Sequence, residues 1–276
     1  MGFKSVNTPN QKGSLAVSPA FYSAKKRFGQ NFFTNRSLLL KLVELTLESS
    51  PDELIEIGPG LGAFTSEFIT RVAKMSAVEI DTELASYLTQ TYPTLNLINK
   101  DLLELDLDQL PFKTSSNLVV FGALPYNISK KIIRKLVEYE GFKLGYFIIQ
   151  KEVADKYTEF APNANLLSLA TQLYAKVTKL IELNPSNFSP KPKVVSTFIK
   201  VEKHTLFELE SDQKKQISLL MKNAFKAPRK TAFNNLKSQL SPEASAKAFE
   251  LLGEKRAQEL TLEAFVQLYN AGVILL

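Results

Sequence analysis

The chain has no cysteine and a single histidine, His204. Without cysteine there are no disulfides, no thiolate nucleophile and no Cys-ligated zinc, and one histidine supplies neither a metal cluster nor a catalytic triad. No apolar run approaches the ~20 uncharged residues that cross a bilayer, and the N-terminus lacks the apolar core of a signal peptide. Residues 1–24 contain no acidic residue and no arginine; a flexible arm is expected there, and a mitochondrial presequence has little support before Arg27. A cytoplasmic protein without membrane association is the default expectation. Its chemistry must come from backbone groups, carboxylates, amides and aromatic rings.

The 276 residues, 45% hydrophobic and 22% charged, suffice for one large soluble domain, or for one of roughly 200 residues with a small partner. Positive charge is in excess, net +6, and clustered: Lys25-Lys26-Arg27, then Lys130-Lys131 with Arg134-Lys135, then Lys222, Lys226, Arg229 and Lys230. Such clusters suit a polyanionic partner, because neutralised phosphates release counterions. A solvated basic surface is the alternative. The last four cations share one helix face if a helix persists past Ala227; Pro228 otherwise ends it.

From Ser37 the spacing of Leu38, Leu39, Leu42, Val43 and Leu45 predicts an amphipathic helix. The period then changes. Glu53-Leu54-Ile55-Glu56-Ile57 predicts a short strand, followed by the turn Gly58-Pro59-Gly60-Leu61-Gly62 and a helix over 64–72. Further strands are expected over 75–80, 95–99, 117–121 and 144–150, each after a helical pattern. This alternation implies a doubly wound α/β domain whose mostly parallel sheet is covered on both faces. Two later strands, 173–183 and 194–201, joined by a Pro-rich loop, predict an antiparallel addition. Only helical patterns follow, over 213–225, 231–240, 242–252, 255–259 and 262–269. The expected organisation is an arm over 1–24, a catalytic domain over 25–203 and a small all-helical domain over 204–276.

A glycine-rich turn between strand and helix lets backbone approach a ligand, and the helix N-terminus favours an anionic group. Gly58, Gly60 and Gly62 are placed for this, although a tight turn without ligand has the same pattern. Glu79 closes the next strand, where a carboxylate accepts the ribose hydroxyls of either a nicotinamide or an S-adenosylmethionine cofactor. Asp101 ends the third strand and either accepts an adenine amino group or caps a helix. The fourth strand discriminates. It runs through Phe121-Gly122 into Ala123-Leu124-Pro125-Tyr126-Asn127-Ile128-Ser129, which sets two backbone carbonyls and an aromatic ring beside a cofactor, with Pro125 stiffening the turn. A nicotinamide enzyme has no use for this arrangement; an amine methyltransferase does.

Several segments together resemble the KsgA-type ribosomal RNA adenine dimethyltransferases: Arg27-Phe28-Gly29-Gln30-Asn31-Phe32, Glu56-Ile57-Gly58-Pro59-Gly60-Leu61-Gly62, Ala123 to Ser129, and Phe188-Ser189-Pro190-Lys191-Pro192-Lys193-Val194. Ala224-Phe225-Lys226-Ala227-Pro228-Arg229-Lys230-Thr231 and Arg256-Ala257-Gln258-Glu259-Leu260-Thr261 extend the similarity to the end of the chain. The resemblance implies a Rossmann-like S-adenosylmethionine-dependent methyltransferase domain with a C-terminal helical domain. It also implies dimethylation of the exocyclic amines of two adjacent adenosines near the 3′ end of small-subunit ribosomal RNA, on an immature small ribosomal subunit. By motif position Asn31, Phe33, Gly58, Gly60, Glu79, Asp101 and Ala123 would face the cofactor; residue 33 is usually Leu in the family. The related erythromycin-resistance enzymes act on large-subunit RNA and usually carry Ile before the Pro, so Leu124 and the Arg-Lys-Thr segment favour the small-subunit enzyme. RNA contacts would fall to Lys25, Lys26, Arg27, Lys222, Lys226, Arg229 and Lys230. A monomer is expected.

The adenine amine is a weak nucleophile because its lone pair is delocalised into the ring. Carbonyl acceptors that bond its hydrogens favour a pyramidal nitrogen and stabilise developing charge, without a strong base. In the family these acceptors are a loop Asn side chain and the next backbone carbonyl, here that of Leu124. Tyr126 and Phe188 would stack the extruded adenine, at ~1–3 kcal/mol per stacked base; core aromatics are the alternative for both. Ala123 stands where the family has Asn and supplies no acceptor, so a rate loss on the order of 100- to 1,000-fold is expected, with ligand binding retained. Either Ala123 was introduced to silence the enzyme, which the intact remainder of the loop favours, or this is a natural member that keeps only a role in ribosome assembly. A non-catalytic nucleic-acid-binding factor on this fold is the rival from another class. A small-molecule methyltransferase would not need the basic helical region.

Overall fold

Five short strands between residues 53 and 150 pair in parallel. The computed structural model describes residues 22, 24–25, 28–115, 117–204 and 206–275. Lys26, Arg27 and most of the expected arm lie outside the described residues. In chain order the elements are β1 (Phe32–Phe33), α1 (Arg36–Leu47), β2 (Glu53–Ile57), α2 (Thr65–Phe68), β3 (Lys74–Glu79), α3 (Thr82–Thr91), β4 (Asn96–Asn99), β5 (Leu118–Ala123), α4 (Ser129–Glu138) and β6 (Leu144–Gln150). There follow α5 (Lys151–Tyr157), α6 (Leu166–Gln172), β7 (Ala175–Leu183), β8 (Phe188–Ser189), β9 (Ser196–Lys203), α7 (Ser211–Ala224), α8 (Ala232–Leu236), α9 (Pro242–Leu252) and α10 (Leu262–Asn270).

The main sheet has the order β4-β3-β2-β5-β6-β9-β7, and a separate two-stranded ribbon joins β1 to β8. Pairs among the first five strands are parallel, whereas β9 runs antiparallel to both β6 and β7. The antiparallel addition expected from the sequence is therefore present.

Residue alternation builds a core on each face of the sheet. Along β5, Leu118 and Val120 join the cluster made with Ile132, Ile133 and Leu136 of α4, while Val119 and Phe121 join Leu39 and Leu42 of α1 and Phe68 of α2. This is the period of two expected of a strand covered on both sides. Phe121 is wholly buried, with ring centroids 4.6 Å from Phe64 and 4.9 Å from Phe68. Losing such a ring costs about 3–5 kcal/mol.

The strand order reverses between β2 and β5, and in α/β sheets ligands bind at such a switch point, outside the carboxyl ends of the strands. Register sets what meets there. Ile57 pairs with Val78 on one side and Gly122 on the other, so Gly58, Glu79 and Ala123, each one residue further on, reach the same edge together.

A third apolar cluster gathers Ile217, Leu220 and Met221 of α7 with Leu236, Ala248, Leu252 and Phe265, and also takes in Ala164, Leu169 and Leu173 from around α6. Helix α7 ends at Ala224, so of the four C-terminal cations only Lys222 is helical, and no helix face is shared by all four. Lys226, Arg229 and Lys230 lie in the turn before α8, held by Asn235, whose amide donates to the Ala224 and Ala227 carbonyls at 2.7 and 3.0 Å. The helix expected over 64–72 is α-helical only at α2; residues 69–72 continue as turns and a bend, where Ile69, Thr70 and Val72 are β-branched and stiff. The pattern over 231–240 divides into α8 and a 3₁₀ turn at Lys237–Gln239, and that over 255–259 is a 3₁₀ turn at Ala257–Glu259. Among the described residues no helix is long and apolar enough to cross a membrane.

Candidate active site

Loop β2–α2 begins the site. Gly58, Gly60 and Gly62 have φ of +66°, +60° and +80°, the left-handed region that favours glycine. At Gly60 a Cβ would lie 3.0 Å from the Phe32 ring, so this position needs glycine for space as well as for backbone freedom.

Glu79, 3% exposed, accepts from the Gly60 N–H at 3.1 Å and the Asp81 N–H at 2.9 Å. Burial raises its carboxyl above the ordinary range, against the pull of these bonds. Glu56 stands beside it on β2 and accepts from the Thr65 hydroxyl at 2.6 Å. Complete burial pushes Glu56 up to about 8, the Thr65 bond opposing and the Glu79 charge adding to the rise. Asp101 accepts from the Leu103 N–H at 2.8 Å, as a turn cap would, and also lines the cavity. The Lys135 ammonium on α4 ties down that loop by donating to the Leu103 and Leu105 carbonyls at 2.8 and 2.6 Å.

The N-terminal segment forms another wall. Phe28 to Thr34 all line the cavity, with the Asn31 amide donating to the Gly29 carbonyl at 3.1 Å. Ribbon β1–β8 pairs Phe33 with Phe188, whose ring centroids are 5.0 Å apart, edge to face. Both rings are 6% exposed and both border the cavity. Phe188 is thus packed in the apolar layer while facing the site.

Strand β5 ends at Ala123 and leads into Leu124, and both line the cavity. The Leu124 N–H donates to the Ile148 carbonyl at 3.1 Å, and the Pro125 carbonyl accepts from Ile128 and Ser129 N–H groups to start α4. The Tyr126 hydroxyl lies 2.5 Å from Ser196 Oγ, and burial raises its phenol above the usual value. Together these elements enclose about 710 Å³.

The chain brings together Asn31, Phe33, Gly58, Gly60, Glu79, Asp101, Ala123, Leu124, Pro125, Tyr126 and Phe188 around one cavity. It does not gather the cations there. The Lys25 ammonium is engaged by Asp81 at 2.9 Å and Glu83 at 3.1 Å; Lys222, Lys226, Arg229 and Lys230 are exposed around the end of α7. Sequence reasoning did not single out Glu56, although it opens the glycine segment, nor Gln30, Asp81 and Ser196. Among the described residues no group of three or more His, Asp or Glu side chains is placed to hold a metal.

Comparison with known proteins agrees with this architecture. Residues 22–272 match the family described as ribosomal RNA adenine dimethylase. Proteins named Ribosomal RNA small subunit methyltransferase A are similar at 35% identity in Acinetobacter baylyi, over 91% of this chain and 93% of that one, and at 34% in Malacoplasma penetrans, over 79% of each. Among solved structures, a dimethyladenosine transferase from Plasmodium falciparum superposes with a TM-score of 0.70 at 21% identity, over 89% of this chain and all of that one. The 23S rRNA methyltransferase ErmE does so at 0.67 and 20%, over 87% of this chain and 99% of that one. The chain belongs to the ribosomal RNA adenine dimethylase family and is a methyltransferase.

Proposed function

We propose that this chain binds S-adenosylmethionine and directs methyl transfer to the exocyclic amines of two adjacent adenosines near the 3′ end of small-subunit ribosomal RNA, during maturation of the small subunit. The observation that carries this reading is the register that brings Gly58, Glu79 and the Ala123-to-Tyr126 loop to one edge, around a cavity that Phe188 also lines. The residues fit the cofactor: a cavity of about 710 Å³ is within the small-molecule range, and a buried carboxylate, Glu79, stands next to a glycine loop. Glu79 would take the ribose hydroxyls, Asp101 the adenine amine, and Asn31, Phe33, Gly58 and Gly60 the remaining contacts. When bound, the cofactor supplies an activated methyl group on a sulfonium.

Everything else falls to the chain itself. The Leu124 carbonyl would orient the target amine, Pro125 fixes the turn, and Tyr126 and Phe188 would hold the adenine plane. Lys130 and Lys131 at the start of α4, and Lys191 and Lys193 after Phe188, are exposed and close in sequence to these two rings, which suits a phosphate-rich substrate. Lys222, Lys226, Arg229 and Lys230 would supply further RNA contacts, together with Lys26 and Arg27.

Ala123 lines the site but offers no side-chain amide oxygen. Reduced turnover with retained binding is therefore expected of this chain. The test is restoration of the amide: A123N should transfer methyl groups to undermethylated small subunits far faster than the present chain. Cofactor binding without any transfer by A123N would favour a non-catalytic assembly factor instead.

A further inference from the structure

The carboxylate of Asp81 is 2% exposed and engages donors from two directions. From its own helix it accepts the Glu83 N–H at 3.0 Å, capping α3. From the N-terminal segment it meets the Tyr22 hydroxyl at 2.6 Å, the Lys25 ammonium at 2.9 Å and the Gln30 amide at 3.5 Å. A carboxylate has about four acceptor positions, so Asp81 has little capacity left for a ligand. Burial would raise its carboxyl, yet the bonds from Tyr22, Lys25 and Glu83 outweigh burial and hold it below the ordinary value.

The same residue reaches the cavity through its backbone. Its N–H donates to Glu79 Oε1, and Glu79 Oε2 accepts from Gly60. Gly60 abuts the Phe32 ring, Phe32 meets Tyr22 edge to face at 5.9 Å, and Tyr22 returns to Asp81. The contacts close a circuit around the end of the cavity where Glu79 lies. An N-cap alone would need only the Glu83 bond.

We infer that Asp81 is a positioning residue that fastens Tyr22, Lys25 and Gln30, and with them Phe32, against Glu79, making these residues a fixed wall of the cofactor site. The inference rests on the reading of the cavity as an S-adenosylmethionine site. Because the wall and the ligand share Glu79, Gly60 and Phe32, fastening one strengthens binding of the other. Lys25 accordingly acts in this fastening.

D81N separates the two roles. Asn caps helices as well as Asp, so α3 keeps its start, while the charge that holds Lys25 is lost. Titration calorimetry with S-adenosylhomocysteine should show Kd raised about tenfold in D81N, and in the A123N background the cofactor KM should rise similarly with kcat unchanged. Tryptic cleavage after Lys25, Lys26 or Arg27 should be slowed by S-adenosylhomocysteine in the parent chain but not in D81N. The double variant Y22F/K25M, which leaves the N-cap untouched, should show the same two losses and serves if D81N does not fold. Unchanged affinity together with unchanged ligand protection in either folded variant overturns the inference. A parent chain that binds no S-adenosylhomocysteine overturns the cofactor reading, and this inference with it.

Discussion

The Tyr126 hydroxyl and Ser196 Oγ are 2.5 Å apart, across 70 residues of sequence. This contact ties the loop that follows β5 to the first residue of β9 and tethers the Tyr126 ring, by its hydroxyl, at the cavity wall. In the A123N background, S196A should keep the ring but lose its tether, lowering kcat several-fold with little change in cofactor affinity. Y126A should cost more, about 1–3 kcal/mol in transition-state stabilisation if the ring stacks on the adenine. Equal kinetics for Y126A and its parent would remove Tyr126 from the base site.

Glu56 gives a pH signature. Its carboxyl is lifted by burial from about 4.5 to about 8, so the folded chain binds this proton more tightly than the unfolded chain does. The resulting stability is complete below about 4.5 and is lost as pH rises through about 8. E56Q is neutral throughout and can still accept from Thr65. Thermal unfolding of E56Q and its parent should therefore diverge in favour of E56Q between about pH 5 and about pH 8; a constant difference in Tm across that interval contradicts the assignment.

Much of this architecture is legible in the sequence because the central strands are buried on both faces. β5 and β6 are near-continuous apolar runs, and β2 is one interrupted only by the buried Glu53 and Glu56; short runs of this kind bounded by turn residues announce themselves. The ribbon pairing Phe33 with Phe188 is not legible, since two residues per strand have no period. Helices α5 and α6, seven residues each, are likewise too short for a clear pattern. The glycine loop, Glu79 and the Leu124-Pro125-Tyr126 turn are identifiable because their residue types are required by their backbone or chemistry. What sequence cannot show is how side chains are committed. Lys25 reads as a free cation in a basic run, yet it pairs with Asp81 and Glu83. Spacing alone also suggests a helix face for Lys222 to Lys230, while the chain turns after Ala224 and Asn235 secures that turn.

That turn carries the third test. Charge reversal at Lys226, Arg229 and Lys230 should weaken binding to small subunits and make log K fall less steeply with log salt, the slope changing by roughly two to three for three lost phosphate contacts. Cofactor affinity should be unchanged. An unaltered slope removes these cations from the RNA interface.

The central claim, that the loop after β5 is the site of amine methylation and lacks its acceptor at Ala123, is met most directly by one comparison. The initial rate of methyl transfer from S-adenosylmethionine to undermethylated small subunits is measured for the present chain and for A123N. A rise on the order of 100- to 1,000-fold, with cofactor Kd little changed, is the expected result. An A123N rate no higher than that of the present chain contradicts the claim.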